Sequence, residues 1–185
     1  YPEAKLLWLD AHIDANTPES SQVRMYMACL WHTYRAWSHT TPNGNALTFK
    51  RTSATSALDR MTEEHQLIKD EGILVFEAKE CLKENIGAIE KELTKYFKKR
   101  NNQYWISFDI DSVDAKSFGS TGTAEEDGLT LDFVENFFET MAAKTVGMDF
   151  TEVNFELASS AHERMKDERT FQHLLELICH SINVP

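Results

Sequence analysis

Short apolar runs alternate along this chain with longer segments of helical periodicity. Runs of strand length occupy residues 4–9, 46–49, 73–76, 104–108 and 146–153. Helical segments are predicted over residues 21–37, 62–71, 82–97, 130–141 and 171–182. Strands separated by helices of this length predict an α/β fold, in which helices cover both faces of a parallel sheet.

Three acidic residues lie where predicted strands end. Asp10 follows the first apolar run, Asp109 follows the fourth, and Glu152 lies near the end of the last. In open parallel sheets, ligands bind outside the carboxyl ends of the strands. The pattern therefore places these acids on one rim of the sheet, where a site is expected.

The segment from Leu6 to Asp14 joins an apolar run to three polar residues at alternate positions. On an extended segment Asp10, His12 and Asp14 share one face. Two carboxylates and one imidazole suit an ion such as Mn²⁺ or Zn²⁺ better than a calcium cage. The alternative is a strand that frays into a solvated polar loop.

A second segment repeats this design and weakens that alternative. Residues 104–108 are again apolar in character, and Asp109, Asp111 and Asp114 follow. Five candidate ligands at two strand ends, namely Asp10, His12, Asp14, Asp109 and Asp111, are more than one ion needs. They predict a pair of metals about 3.5–4 Å apart.

Three motifs, in order, resemble those of the arginase (ureohydrolase) family. Residues 10–18 resemble its D-A-H-x-D-x-N-T-P motif, and residues 107–114 with 120–123 resemble S-F-D-x-D-x-x-D…T-G-T. Residues 149–154 match D-x-x-E-V-N-P, except that Phe155 stands where proline is usual. The resemblance runs from about residue 4 to residue 180. It implies a three-layer α/β/α sandwich, with residues 1–185 forming one domain, the C-terminal portion of the family fold.

The resemblance also implies a role for each site residue, beginning with the metal ligands. Asp10 and Asp109 would bridge two Mn²⁺ ions, His12 and Asp111 would complete one ion, and Asp14 would bind the other. Two cations sharing one water would supply hydroxide to attack a guanidinium carbon, and Asp14 would hydrogen-bond that hydroxide.

On the substrate side, the resemblance makes Glu152 the residue that orients the guanidinium and places Asn16 and Thr123 beside the substrate. Glu152 would then be catalytic together with Asp14. A strand-end salt bridge is the structural alternative for Glu152. Asp114 would support its loop.

Three departures from the family pattern bear on activity. The family's G-G-D-H ligand motif would precede this sequence, so either the chain is part of a longer one or only one ion binds. Val23 stands where the proton-shuttling histidine belongs. The loop around Asp59 and Glu64, which in the family recognises the substrate's α-amino group, matches loosely.

Two classes of function are therefore open. The first is an arginase-type hydrolase that converts a guanidino substrate such as L-arginine to urea and an amine (ornithine). Agmatinase, guanidinobutyrase and formimidoylglutamase activities are variants of it. The second is a non-catalytic arginase-like protein with a binding or regulatory role.

The composition of the chain limits the classes of partner and the compartment that can be expected. The formal net charge of −11 over 185 residues disfavours nucleic acid and anionic membranes. Three widely spaced cysteines, Cys29, Cys81 and Cys179, predict core residues and a reducing, cytoplasmic compartment. The family resemblance adds a homo-oligomer, either a trimer or a hexamer.

Overall fold

A computed structural model describes residues 4–12, 46–50, 73–97 and 103–181, with positions 66 and 70; at 46–50 and 180–181 it describes the backbone alone. Five strands are present in these ranges: β1 (Lys5–Leu9), β2 (Ala46–Lys50), β3 (Leu74–Glu77), β4 (Tyr104–Asp109) and β5 (Thr145–Thr151). Three α-helices are described over their full length: α1 (Ile86–Tyr96) after β3, α2 (Leu131–Met141) after β4, and α3 (Ala161–Ser181) after β5. Each of the five predicted strands is confirmed to within two residues at either end.

All neighbouring strands are parallel, and their order is β3-β2-β1-β4-β5. The chain thus runs outward from β1 through β2 to β3 and then returns to β4 on the other side of β1. This reversal makes the gap between β1 and β4 the switch point of the sheet, where ligands bind in open parallel sheets. Leu9 pairs with Phe108, so Asp10 and Asp109 follow the last pair at that switch point.

The hydrophobic cluster that the described residues form lies on one face of the sheet. Leu7, Leu9 and Phe108 belong to one buried cluster with residues of α1, α2 and α3. Phe108 packs edge-on against Phe138 of α2, with ring centroids 5.2 Å apart. Phe150 of β5 packs in the same way against Phe171 of α3, at 5.4 Å. The helices that follow β3, β4 and β5 therefore form one layer.

The opposite face carries Trp8, Ser107 and Asp149, which alternate with the core residues along their strands. The indole nitrogen of Trp105 and the hydroxyl of Ser107 both donate to Asp149, at 2.7 Å each. Gly147 lies against the Trp105 ring so closely that a Cβ there would come within 2.3 Å of it. Glycine is required at this position because the indole fills the space of a side chain.

Two of the predicted helices fall largely outside the described residues. Helix 21–37 lies wholly outside them. Within helix 62–71, positions 66 and 70 are helical, and Gln66 donates to Asp70 at 2.6 Å, as a pair four residues apart can.

Two helix ends show how local sequence determines the elements. Thr130 is the N-cap of α2, as predicted, and its hydroxyl accepts from the backbone nitrogen of Phe133 at 3.2 Å. Helix α3 begins at Ala161, ten residues before the apolar spacing that predicted it. The first half of α3 is polar, so no apolar stripe predicted it from the sequence. Arg164 in this half pairs with Glu168 on the same helix and with Glu156, which precedes the helix.

Among the described residues, none of the helices is long and apolar enough to cross a bilayer.

Cys81 and Cys179 are free thiols. Cys81 is buried, which confirms the prediction of a core residue, but Cys179 is exposed on α3, so the same prediction is wrong there. Burial, with a smaller effect of the Glu80 charge, raises the pKa of Cys81 to about 12. At pH 8 roughly one Cys81 in ten thousand is then a thiolate, which is the nucleophilic form.

We expect iodoacetamide to label Cys179 in the native protein and Cys81 only after denaturation, as peptide mass mapping would report. Equal native labelling of both would contradict the buried position of Cys81.

Candidate metal centre

Asp10 is held in place at the carboxyl end of β1. Its side chain is 2% exposed. One carboxylate oxygen accepts from the Trp8 indole nitrogen at 2.8 Å, and the other accepts from the backbone nitrogen of His12 at 2.7 Å. The second bond belongs to a bend at Ala11 and His12. The orientation of Asp10 is therefore fixed by its neighbours in sequence.

This bend corrects one inference from the sequence. His12 was expected to share a face with Asp10 because the segment would remain extended. The strand instead ends at Leu9, and the chain turns at His12. The two side chains still converge, but they do so because the backbone folds around the Asp10 carboxylate.

Asp109 has the corresponding position at the end of β4. One of its oxygens accepts from the backbone nitrogen of Asp111 at 3.0 Å, which caps a short 3-10 turn over Ile110–Ser112. The other accepts from the Thr151 hydroxyl at 2.8 Å. Thr151 is the register partner of Asp109 on β5. Asp109 is thus fixed by both its own turn and the adjacent strand.

Asp111 joins the two strand ends. Its side chain is 2% exposed, and one oxygen accepts from the backbone nitrogen of Ala11 at 3.1 Å. The other oxygen lies 2.8 Å from Nδ1 of His12 and accepts from the Thr123 hydroxyl at 3.1 Å. Three separate segments of the chain therefore meet at one carboxylate.

Two sets of potential ligand atoms overlap at Asp111. The first set contains Asp10, His12 and Asp111, and the second contains Asp109, Asp111 and Glu152. Within each set the ligand atoms lie within 4.8 Å of one another. Two adjacent sets that share a carboxylate are the arrangement expected of a site for two cations.

The electrostatics of the pair Asp109 and Asp111 favour a cation. Burial and the nearby charge of Asp111 raise the pKa of Asp109 to about 7, against the opposing effect of its hydrogen bonds. Burial also disfavours the charged form of Asp111, but the hydrogen bond and charge of His12 outweigh it and lower the pKa of Asp111. Buried carboxylates that repel one another fit a metal, because a cation between them offsets both the repulsion and the burial.

Glu152 lies on the exposed rim of this site, directly after β5. The φ angle of Glu152 is 61°, in the left-handed region of backbone conformations that residues other than glycine rarely adopt. Its carboxylate lies next to Gly122, where a Cβ would be 3.6 Å from the Glu152 Oε2 atom. Backbone strain of this kind is concentrated at functional sites, where the surrounding structure maintains it.

The model of the arginase family matches residues 1–180. The chain belongs to the arginase family. Its relatives include the arginases of Glaciozyma antarctica, 30% identical over 172 residues, and of Saccharomyces cerevisiae, 30% identical over 174 residues. These matches cover 87% and 85% of this chain but 50% and 51% of the two arginases. The chain therefore spans about half the length of the curated relatives it matches.

Solved structures confirm the arginase fold that the motifs implied. Arginase from Bacillus cereus superposes with a TM-score of 0.73 at 22% identity, covering 96% of this chain and 62% of that one. Formimidoylglutamase from Bacillus subtilis superposes with a TM-score of 0.76 at 15% identity, covering 98% and 54%. At these identities the likeness shows the fold of this arginase-family chain and not its substrate.

The predicted site residues divide into two groups. The structure brings together five of them at the switch point: Asp10, His12, Asp109, Asp111 and Glu152. Asp14 and Asn16 lie outside the described residues, as do Val23, Asp59 and Glu64. Their roles stay predictions, and so do the bridging roles of Asp10 and Asp109.

Asp114 and Thr123 complete the comparison with the sequence. The Asp114 carboxylate accepts from the backbone nitrogens of Lys116 and Asp127, at 2.9 Å each, which confirms its role in supporting the loop. Thr123 was expected beside the substrate. That place beside the substrate stays a prediction. The structure adds that the Thr123 hydroxyl donates to Asp111 at 3.1 Å, so Thr123 also holds a potential metal ligand.

Sequence reasoning missed several supporting residues. Trp8 and Thr151 hold Asp10 and Asp109, and Glu125 lies 3.6 Å from Nε2 of His12. A carboxylate on the second nitrogen of a ligating histidine fixes the orientation of its ring. For Thr151 the available signal was its place near the end of the last predicted strand, although the register that brings it to Asp109 is known only from the structure. Glu125 had no such signal, because it lies in an irregular loop.

The Thr123 contact yields a prediction. Thr123→Val removes the hydroxyl but keeps the shape, and loss of such a supporting bond typically costs 10–100-fold in metal affinity. We expect equilibrium dialysis to show about tenfold weaker Mn²⁺ binding by Thr123→Val. Thr123→Ser keeps the hydroxyl and should bind like the unmodified chain. Equal affinity of all three would show that Thr123 does not orient Asp111.

Proposed function

We propose that this chain carries the metal-binding rim of an arginase-type hydrolase that acts on a guanidino substrate with two Mn²⁺ ions. The observation that carries the proposal is the sharing of Asp111 between two ligand sets at the switch point, with Glu152 on the exposed rim. Membership of the arginase family supports a ureohydrolase. L-Arginine is the proposed substrate, with urea and ornithine as products.

The residues present have distinct tasks in this proposal. Asp10, His12, Asp109 and Asp111 would hold the ions, and Asp14 would complete the set by family resemblance. Bound ions would supply Lewis acidity, which would make water a competent nucleophile near neutral pH. The hydrogen bonds from Trp8, Thr151 and Thr123 fix the carboxylates beforehand and so lower the cost of ordering the ligands.

Glu152 would orient the substrate. A carboxylate matches the planar fork of a guanidinium, to which it can accept two parallel hydrogen bonds. Glu152 is exposed at the rim, where a substrate can reach it, and its carboxylate lies near those of Asp109 and Asp111. A guanidinium held there would present its central carbon towards the carboxylate cluster, which is the proximity that hydrolysis requires.

Val23 favours a second candidate, a non-catalytic arginase-like protein that binds metal or ligand. It stands where the family's proton-shuttling histidine belongs. Hydrolysis of another guanidino or formimino substrate of the family is a variant of the first candidate.

We further propose that the protein is a homo-oligomer, a trimer or hexamer. We also propose a reducing compartment, which the free thiols of Cys81 and Cys179 support.

Urea release tests the proposal. The full chain, loaded with Mn²⁺, would be assayed with L-arginine, agmatine and guanidinobutyrate, and for ammonia or formamide release with formiminoglutamate. We expect L-arginine to be hydrolysed fastest, EDTA to abolish the activity and Mn²⁺ to restore it. A chain that binds Mn²⁺ but hydrolyses none of these substrates would contradict the enzyme and support the binding protein.

A further inference from the structure

Asp167 is a fully buried carboxylate on α3 that belongs to none of the motifs found in the sequence. Its side chain is 0% exposed. Its Oδ2 atom accepts three hydrogen bonds from two consecutive residues: the backbone nitrogen of Gly119 at 3.1 Å, the backbone nitrogen of Ser120 at 2.9 Å and the Ser120 hydroxyl at 2.7 Å. One oxygen thus fixes the conformation of a turn that is distant in sequence.

A structural carboxylate at this depth is costly. The other oxygen, Oδ1, accepts no hydrogen bond in the described part of the chain and lies 3.3 Å from Nζ of Lys166. Burying a carboxylate with unused acceptor capacity destabilises a fold, and an apolar residue of similar size is often at least as stable there. What the charged group provides is orientation, because consecutive backbone N–H groups that converge on one anion hold a single conformation.

The residues that Asp167 holds begin the loop 119–123, which contacts the metal centre. At the far end of this loop, the Thr123 hydroxyl donates to Asp111. In its middle, Gly122 lies against the carboxylate of Glu152. At its start, the Ser120 carbonyl oxygen accepts from the backbone nitrogen of Asn154 at 2.9 Å, two residues after Glu152. The loop therefore touches both the ligand set and the proposed substrate residue.

We infer that Asp167 is a positioning residue for this site: by clamping Gly119 and Ser120 it sets the place of Thr123 on Asp111 and of the segment that carries Glu152. The catalytic part of this inference rests on the proposed hydrolase, whereas the part that concerns metal binding does not. Asp167 itself belongs to neither ligand set among the described residues.

The test compares three variants of the full chain. Asp167→Ala removes the acceptor. Asp167→Asn keeps a carbonyl oxygen that can accept the same three bonds, without the charge. Glu168→Ala, the matched control, removes a neighbouring acid on α3 that is exposed and paired with Arg164. Each would be measured for Tm, Mn²⁺ affinity, amide hydrogen exchange at Asn154, and kcat and KM for L-arginine well below the lowest Tm.

We expect Asp167→Ala to exchange faster at the Asn154 amide, to bind Mn²⁺ about tenfold more weakly and to lose roughly 10–100-fold in kcat/KM, the range that displaced supporting groups cost. Asp167→Asn should stay within about fivefold of the unmodified chain, because neutral acceptors retain part of the bond strength. Glu168→Ala should match the unmodified chain in all four measurements.

A lower Tm of Asp167→Ala with Mn²⁺ affinity and turnover within twofold of the unmodified chain would overturn the inference, since Asp167 would then only stabilise the fold. If the unmodified chain hydrolyses no guanidino substrate, the proposed function fails separately. The inference is then decided by Mn²⁺ affinity: it stands if Asp167→Ala weakens binding more than Asp167→Asn does, and it falls if the two variants bind alike.

Ser120→Ala provides the test if Asp167→Ala does not fold, because it removes one of the three donors and leaves the two backbone bonds in place. We expect its fold to be intact and its Mn²⁺ affinity or kcat/KM to fall about threefold to tenfold. Unchanged values for both would overturn the role of the clamp.

Discussion

Asp109→Asn should abolish stoichiometric Mn²⁺ binding while leaving the metal-free protein at least as stable as before. The fold is preserved because asparagine can keep both hydrogen bonds, accepting from the backbone nitrogen of Asp111 and donating to the Thr151 hydroxyl. Repulsion from Asp111 disappears with the charge. Loss of a residue that supports a ligand lowers metal affinity about 10–100-fold, and loss of the ligand itself should cost more. The Mn²⁺ affinity of Asp109→Asn should therefore fall at least about 100-fold.

The measurements are bound Mn²⁺ by equilibrium dialysis and Tm of the metal-free forms. Asp132→Asn is the matched control, because it removes the same charge at an exposed position in the first turn of α2. It should bind Mn²⁺ like the unmodified chain. Normal Mn²⁺ binding by Asp109→Asn would exclude Asp109 as a ligand, and a much lower Tm would make its carboxylate structural.

Glu152→Gln should remove most turnover and leave metal content and fold intact. Glutamine has the same length and the same backbone strain at a φ of 61°, so only the charge changes. A hydrogen bond to a charged group is worth about 1.5–3 kcal/mol. This corresponds to roughly one to two decades in rate for each bond to the guanidinium.

Three measurements on Glu152→Gln separate the possible roles of this residue: turnover, bound Mn²⁺ and Tm. Loss of turnover alone supports guanidinium binding. Loss of Mn²⁺ would make Glu152 a ligand, a role its place in the second ligand set permits. A lower Tm with normal turnover would identify a strand-end salt bridge. Glu156→Gln is the control. It removes the charge of an exposed acid that lies four residues after Glu152 and pairs with Arg164, so it should leave turnover unchanged.

The sequence predicted the sheet well because each strand is a short apolar run with a polar boundary. The run at residues 4–9 appears as Lys5–Leu9, and the run at 146–153 appears as Thr145–Thr151. Parallel strands place their carboxyl ends on one rim, so the acids that follow these runs could be placed together before the structure was known. The strand order, which the sequence pattern did not predict, then brings Asp10 and Asp109 together at the switch point.

The supporting interactions could not be predicted in the same way. The contact of Thr151 with Asp109 depends on the register between β4 and β5, and the clamp of Asp167 joins residues 47 positions apart. A local sequence pattern contains neither the register between two strands nor a contact between residues so far apart in the chain. His12 shows the opposite failure, because its convergence with Asp10 was predicted correctly from an extended geometry that the bend replaces.

We expect Asp10, His12, Asp109 and Asp111 to bind manganese at the carboxyl ends of β1 and β4. Anomalous X-ray diffraction at the manganese absorption edge, from crystals of the full chain grown with Mn²⁺, would locate the ions. The anomalous difference density should lie among these four side chains, with Asp111 next to each peak. Density elsewhere, or none there from protein that binds Mn²⁺ in solution, would show that these residues are not the ligands.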